Sequence, residues 1–366
     1  MNFVTLFPET ENIHLTKDVG MIAYILHKYY GYNSTIACYK NGEYDYLNNE
    51  VKGLKIDFIK RYTGKRRIDV IIYLIKNVRK TNILHLFHLS SRSLCCAFIY
   101  KLLNPKGQVY LKLDADYRIK EFDFNKRGIK GTIKRWLMKK CKLISIETKN
   151  LHKYTNNNWN LNVEYIPNGF YDYGIRNNVN YEEKENIICT VGRIGTNQKA
   201  TEVLLEGFKI AADKIKDWKL KIIGPIEDEF RSYIDNFYKE NPNLKERIIF
   251  TGPIYDRKKL ENEYRKAKVF CLTSRYESFG LVFLEAMKNG CYIITSNVES
   301  SSDITDNKKY GDIFSVDDEV GLAQCFSKTC NQENKIKENC SSIQSYAYER
   351  FYWPTICKKI DSLLKK

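Results

Sequence analysis

Val269-Phe-Cys-Leu-Thr273, Leu281-Val-Phe-Leu-Glu285-Ala-Met-Lys-Asn289 and Cys291-Tyr-Ile-Ile-Thr295 follow one another with a single polar turn, Ser274 to Gly280, and one glycine, Gly290, between them. The first and third are short apolar runs with the length of buried strands. The middle one carries no turn former before Asn289-Gly290 and reads as a helix. Strand, helix and strand in immediate succession describe a crossover unit, in which neighbouring strands run parallel and the helix covers one sheet face.

The same alternation extends in both directions. Towards the N-terminus lie strand Asn186–Val191, helix Ala200–Ala212, strand Trp218–Ile223 ending at Gly224, strand Ile248–Thr251 and helix Lys258–Ala267. Further back comes a second series: strand Phe3–Phe7, helix Met21–Tyr30 with Gly31 as its cap, and strands Ser34–Tyr39, Ile83–Leu89, Gln108–Leu113 and Leu143–Glu147, with a helix over Leu94–Leu103. Between the two series, Asn156-Asn-Asn-Trp-Asn160 to Asn178 is dense in turn formers and reads as a linker. The fold class expected is therefore α/β, with two Rossmann-like doubly wound parallel-sheet domains facing a central cleft. Residues 1–172 form the first domain and 173–344 the second.

Composition narrows the class. Hydrophobic residues make up 43% of the 366, and with 27 Tyr and 18 Phe they suffice for two packed cores and exclude a disordered chain. Eleven cysteines fall largely inside apolar segments without CxxC spacing, so buried free thiols are expected. The five histidines show no metal spacing. Met1–Phe7 lacks a basic leader, and no apolar run approaches the roughly 18 residues of a membrane span. A cytoplasmic protein is expected.

Ligands of open parallel sheets bind beyond the carboxyl ends of strands, which directs attention to the polar clusters there. In Glu277-Ser278-Phe279-Gly280-Leu281, unpaired N–H groups at a helix start favour phosphate oxygens, and Gly280 permits close approach. Glu285 follows two turns later inside an apolar helix, where a ribose would satisfy its carboxylate; a helix cap with one Lys-paired glutamate reads the same residues structurally. In Gly192-Arg193-Ile-Gly195-Thr-Asn-Gln198-Lys199, two cations on a glycine-containing loop suit a diphosphate, although solvated loop cations are common.

Glu277-Ser-Phe-Gly-Leu-(x3)-Glu285-Ala resembles the E-x7-E signature of retaining GT-B glycosyltransferases, family 4 (glycosyl transferases group 1), and Gly192-Arg193 to Lys199 is similar to that family's Gly-Arg…Lys-Gly segment. Ala200 departs from it, standing where Gly is usual. The resemblance is strongest over residues 186–315. It implies a retaining transferase that moves sugar from a UDP- or GDP-sugar to a glycan or lipid-linked acceptor, in bacterial surface polysaccharide or glycoconjugate synthesis. Catalysis would rest on Arg193, Lys199 and the helix start neutralising the leaving diphosphate, with Glu277 orienting the sugar and Glu285 at the ribose. Gly224, Ile254, Ser278, Phe279, Gly280 and Leu281 complete the donor-binding set in this domain. No metal and no cofactor is implied, the nucleotide-sugar being a substrate. Lys199→Ala is expected to reduce turnover far more than stability.

The first domain departs further from the family. Asp114 stands where many relatives place a His near the donor sugar, and three readings of Asp114 and Asp116 stay open: a sugar-hydroxyl acceptor, a DxD metal pair or a strand-end cap. The loop Pro8–Gly20 corresponds to one that closes over the diphosphate, with Lys17 and Gly20 as donor contacts alongside Asp18. His85 and His88, at a strand end, either face the acceptor or belong to the core. Residues 345–366 resemble the family's C-terminal element, a helix crossing back to the first domain.

Charge is uneven. Residues 1–175 hold 29 Lys and Arg against 15 Asp and Glu, a surplus of 14 out of the net +16. Two runs dominate, Lys60 to Arg67 and Lys126 to Lys140; the second interleaves cations with Ile133, Trp136, Leu137 and Met138. An interfacial helix at an anionic membrane, at the inner face of the cell membrane, reads this pattern as well as a solvated helix face does. No recognition motif accompanies the charge, so nucleic acid is not an expected partner. Two other function classes remain beside the transferase: a sugar-nucleotide epimerase or hydrolase on the same scaffold, and a non-catalytic basic protein with a nucleotide fold.

Overall fold

The structure, a computed structural model, describes residues 1–124 and 128–366. The chain divides into two compact units, Met1–Gly174 with Phe351–Lys366, and Ile175–Arg350.

The first unit alternates strands and helices in chain order: β1 (Asn2–Leu6), α1 (Asp18–Tyr30), β2 (Asn33–Cys38), α2 (Tyr46–Asn49), β3 (Lys55–Phe58), α3 (Arg66–Asn77) and β4 (Ile83–Phe87). Then come α4 (Ser91–Leu103), β5 (Gln108–Lys112), α5 (Gly128–Lys139), β6 (Leu143–Ile146), α6 (Lys149–Trp159) and β7 (Glu164–Tyr165). All pairings are parallel, in the order β3-β2-β1-β4-β5-β6-β7. Every residue of the central β4 is buried, because helices cover both faces of a parallel sheet and leave no polar side. Gly31 ends α1 in the left-handed conformation (φ 71°), its N–H returning to Leu26 O, as the sequence suggests.

The second unit contains β8 (Glu185–Val191), α7 (Thr201–Ala211), β9 (Lys219–Ile223), α8 (Asp228–Glu240), β10 (Ile248–Gly252), α9 (Arg257–Lys266) and β11 (Ala267–Leu272). It continues through α10 (Leu281–Lys288), β12 (Tyr292–Ser296), α11 (Ser301–Ile304), β13 (Gly311–Phe314), α12 (Glu319–Cys330) and α13 (Glu333–Phe351). Its parallel order is β10-β9-β8-β11-β12-β13. Both sheets thus reverse direction once, between β1 and β4 and between β8 and β11. Those reversals are the switch points at which doubly wound sheets open a crevice.

Two local expectations are corrected. Asn156 to Trp159 form the last turn of α6 rather than linker: the Asn156 amide bonds both ways to Val163, and Asn160 caps the helix in the left-handed conformation (φ 50°). At the other end, residues 345–350 continue α13 within the second unit, and the return to the first unit begins at Phe351. There α14 (Trp353–Lys365) packs on α1, and the backbones of Phe170 and Phe351 to Trp353 exchange hydrogen bonds. Tyr32 Oη donates to Asp361 Oδ1 at 2.8 Å. Among the described residues no helix is long and apolar enough to cross a membrane.

Candidate functional site

The second switch point is built from the two loops that carry the sequence motifs. The loop after β8, Gly192 to Ala200, lies beside the loop after β11, Thr273 to Gly280, and the two are laced together. Thr273 Oγ1 donates to the carbonyls of Lys199 (2.9 Å) and Ala200 (3.0 Å), and the Gln198 side chain donates to Tyr276 O at 3.1 Å. Arg275 does most of the fastening. Its N–H donates to Gln198 O, and its guanidinium reaches Asn197 O (2.7 Å), Glu202 (2.7 Å) and Asp317 (2.8 Å).

Lys199 and Glu277 meet here, Nζ to Oε1 at 2.5 Å, and the buried Ser274 hydroxyl donates to the same oxygen at 2.8 Å. The structure therefore joins two residues to which the sequence assigns separate tasks. Arg193 extends into solvent, its guanidinium 3.2 Å from Gln198 Oε1. Ala200 holds a left-handed conformation (φ 46°, ψ 52°), which costs a residue with a Cβ energy and which Gly adopts freely.

Beneath the loops, glycines keep the strand ends bare. A Cβ on Gly224 would lie 1.8 Å from Gly192 O, so no other residue fits there while Gly192 N–H bonds Ile223 O. Gly280 precedes α10 with φ 80° and offers no side-chain cap, which leaves the first N–H groups of that helix open to an anion. Ser278 and Leu281 flank it half-exposed, whereas Phe279 is fully buried and acts as an anchor. Glu285, one turn into α10, accepts a hydrogen bond from Tyr264 Oη at 2.9 Å; burial raises its pKa and this bond opposes the rise. One carboxylate oxygen is thus already engaged. Ile254 sits half-buried on the loop after β10.

A second cluster lies at strand ends of the first unit, around a residue the sequence reading passes over. Lys112, the last residue of β5, is completely buried and pairs with Glu147 (2.6 Å) and Asp18 (3.2 Å). Burial opposes its charge, but Glu147 and Asp18 outweigh that and hold the ammonium protonated. Glu147 also accepts the N–H groups of Asp114 (3.0 Å) and Ala115 (3.1 Å), fixing Asp114 in a left-handed conformation with φ 41°. Desolvation first, and the Asp18 charge second, push the Asp114 carboxyl up to about 7.

The remaining first-unit candidates separate. Asp116 turns away to Arg118 and caps the short helix Tyr117–Glu121; Arg118 lowers its pKa. A shared DxD geometry with Asp114 is not what these partners serve. His85 is a core residue, bonded to Thr5 and stacked on Tyr110 at 4.4 Å, and burial holds its pKa well below the usual value, so it does not face an acceptor. His88 is half-exposed, with Nδ1 3.9 Å from Asp114 Oδ2. Gly20 lies inside α1, where a Cβ would fall 2.1 Å from Leu15 O; packing against the short helix Asn12–Thr16 requires it. Lys17 is half-buried just before α1.

Arg275, Ser274, Tyr264, Lys112 and Glu147 are the site residues the sequence reading omits. A charged residue at or directly after the end of an apolar strand is the signal that marks Lys112 and Glu147.

Two doubly wound parallel-sheet domains define the GT-B fold. An Anabaena protein solved with UDP and glucose superposes over 100% of this chain and 99% of its own with a TM-score of 0.73, at 14% identity. Residues 174–350 match the model of the family Glycosyl transferases group 1. This match places the second unit, just under half of the chain, in the glycosyl transferases group 1. Among curated relatives, the mannosylfructose-phosphate synthase of Agrobacterium fabrum is 34% identical over 32% of this chain and 26% of its own. A capsular polysaccharide biosynthesis glycosyltransferase of Staphylococcus aureus is 31% identical over 40% and 37% respectively. The chain thus spans less than two-fifths of the length of either.

Proposed function

We propose that the protein is a retaining glycosyltransferase that takes sugar from a nucleoside-diphosphate sugar and passes it to a glycan or lipid-linked acceptor, in surface polysaccharide or glycoconjugate synthesis. The observation that carries this reading is the pairing of the two motif loops at the second switch point. It brings Lys199, whose side chain lies over Gly192, onto Glu277 just before the uncapped start of α10, with Arg193 on the same loop as Lys199.

In this reading the bond between the anomeric carbon and the phosphate oxygen breaks, and negative charge grows on the diphosphate. Lys199, Arg193 and the α10 N–H groups stabilise that charge, which is where electrostatic catalysis is most effective. The acceptor oxygen forms the new bond and its proton passes to the departing phosphate. Glu277, held by Lys199 and Ser274, is fixed for the sugar hydroxyls rather than for nucleophilic attack. Glu285 has one oxygen left for the ribose. Asp114 takes a sugar hydroxyl. The relatives' names and the UDP and glucose in the Anabaena structure support the donor class. The basic first unit supports a place at the cytoplasmic face of an anionic membrane.

A thermal-shift screen against UDP, GDP and ADP and their sugars tests the donor, since binding to the folded state raises the midpoint. Sugar release that depends on added acceptor is the expected result. Turnover without acceptor would assign an epimerase or hydrolase instead, and no response to any nucleotide would remove the reading.

A further inference from the structure

The first sheet has its own switch point, between β1 and β4, and a cavity of about 760 Å³ opens there. Phe7 and Glu9 line it from the end of β1, His88 and Ser90 from the end of β4, Arg67 from α3 and Arg92 from α4. Arg67 is exposed, and Arg92 pairs with Glu9, both of the latter about two-fifths exposed (41% each). Ion pairs at such exposure contribute little net stability. An incoming phosphate displaces Glu9 at small cost and gains two guanidinium forks shaped for its oxygens.

Ser91 and Cys95, on one side of α4, line this cavity and also a second one of about 430 Å³ between α4 and α5. The second is apolar: Leu94, Phe98, Ile133, Trp136 and Leu137 form its walls. Phe98 and Trp136 continue into a third, of about 230 Å³, that ends at Leu102, Lys101 and Lys140. The cavity that holds the two arginines, walled also by Phe7, Ile71 and Cys96, therefore shares residues with a hydrocarbon-lined groove along a single helix.

The faces beside the groove are unusual for a soluble domain. Ile129 is 80% exposed, Leu102 65% and Ile133 52%, next to Lys101, Lys130, Lys134 and Lys140. Clustered exposed apolar side chains rimmed by cations mark a surface for an anionic amphiphile. α5 buries only Gly131 and Met138, so Met138, which the sequence pattern groups with the interfacial residues, belongs to the core. Lys126 and Arg127, the start of the basic run, lie outside the described residues.

We propose that the first unit binds a phosphate-bearing lipid, with the phosphate between Arg67 and Arg92 and the hydrocarbon chain in the α4–α5 groove. The ligand class follows from the join: neither an oligosaccharide nor a free anion has use for the apolar walls, and an uncharged lipid has none for the arginines. That this lipid carries the sugar acceptor rests on the transferase reading; the lipid site itself does not.

Trp136 provides the readout, because it is 49% exposed while Trp159, Trp218 and Trp353 are buried. Farnesyl phosphate should saturably shift Trp136 emission, farnesol should bind about ten-fold or more weakly, and inorganic phosphate should leave the emission unchanged. Arg67→Ala with Arg92→Ala should lose the preference for farnesyl phosphate over farnesol, and Trp136→Phe should remove the signal. A maleimide on Cys95, the exposed cysteine at the junction of the two cavities, should block binding. Equal affinity for farnesol and farnesyl phosphate would overturn the proposal. So would an equal response to phosphatidylglycerol vesicles in wild type and the double arginine variant, which would show surface adsorption alone. Calorimetry with nucleoside diphosphates on the same samples separates the two readings. Nucleotide binding without lipid binding removes the lipid site and spares the transferase; lipid binding without nucleotide binding does the reverse.

Discussion

Lys199 Nζ lies 2.5 Å from Glu277 Oε1, so the cation of one motif and the carboxylate of the other form a single buried unit. Their side chains are only 15% and 9% exposed. Removing one partner leaves the other poorly solvated, so loss of Lys199 touches stability as well as turnover.

The first prediction follows from this pair. Lys199→Met should lower stability by about 1–3 kcal/mol, and Lys199→Met with Glu277→Gln should recover most of the loss. Turnover should fall about 10²–10³-fold in the single variant and stay low in the double one. Urea denaturation with parallel rate measurements checks both halves. Recovery of turnover together with stability would mean that the pair is structural only.

Asp114 supplies a pH signature. Burial, with the Asp18 charge second, pushes its carboxyl up from the ordinary 3.8 to about 7, so the folded state binds the proton more tightly than the unfolded chain does. Stability from this group is therefore fullest below about pH 4, falls as pH rises towards 7 and is flat above. Asp114→Asn should match wild type near pH 4 and exceed it near pH 8, measured as urea midpoints across that range. Parallel curves would show that the group is not perturbed.

Ala200 tests backbone strain. With φ 46° at the entrance to α7, glycine should raise stability by up to about 1 kcal/mol, and Ala200→Val should lower it. Turnover should survive Ala200→Gly, because Arg193 and Lys199 keep their places. A lower melting midpoint in Ala200→Gly would contradict this assignment.

Lys184 joins segments that the sequence does not connect. Its buried ammonium donates to the carbonyls of Arg265 (3.1 Å), Ala267 (2.9 Å) and Asn289 (2.8 Å), gathering the C-terminal ends of α9 and α10. Lys184→Met should cost about 3–5 kcal/mol, since three buried acceptors lose a charged donor. An unchanged urea midpoint would show that water replaces the ammonium at no cost.

The central strands were the legible part of the fold. β4, β11 and β12 are buried at every position because both faces are covered, and their largely apolar runs stand out in any sequence. The edge strands β3 (Lys55-Ile-Asp-Phe58) and β13 (Gly311-Asp-Ile-Phe314) did not, being four residues long and broken by charges at Lys55, Asp57 and Asp312, with one side unpaired. α3 was masked because its start, Arg66-Arg67, reads first as a charge run. At the site, Glu277, Glu285, Arg193 and Lys199 were legible through their spacing. Lys112 closes β5 and Glu147 directly follows β6, each breaking an apolar run with one charge, but their partnership depends on β5 lying beside β6.

In the proposed function the loops at the second switch point hold a nucleoside diphosphate through its phosphates. Calorimetric titration of a nucleoside diphosphate, the matching monophosphate and the nucleoside tests this most directly, in wild type, Arg193→Ala, Lys199→Met and Glu285→Gln. Wild type should prefer the diphosphate, the two cation variants should lose that preference while retaining nucleoside affinity, and Glu285→Gln should weaken all three ligands alike. Equal binding of the three ligands to wild type, or a diphosphate preference kept by the cation variants, would contradict recognition through the phosphates.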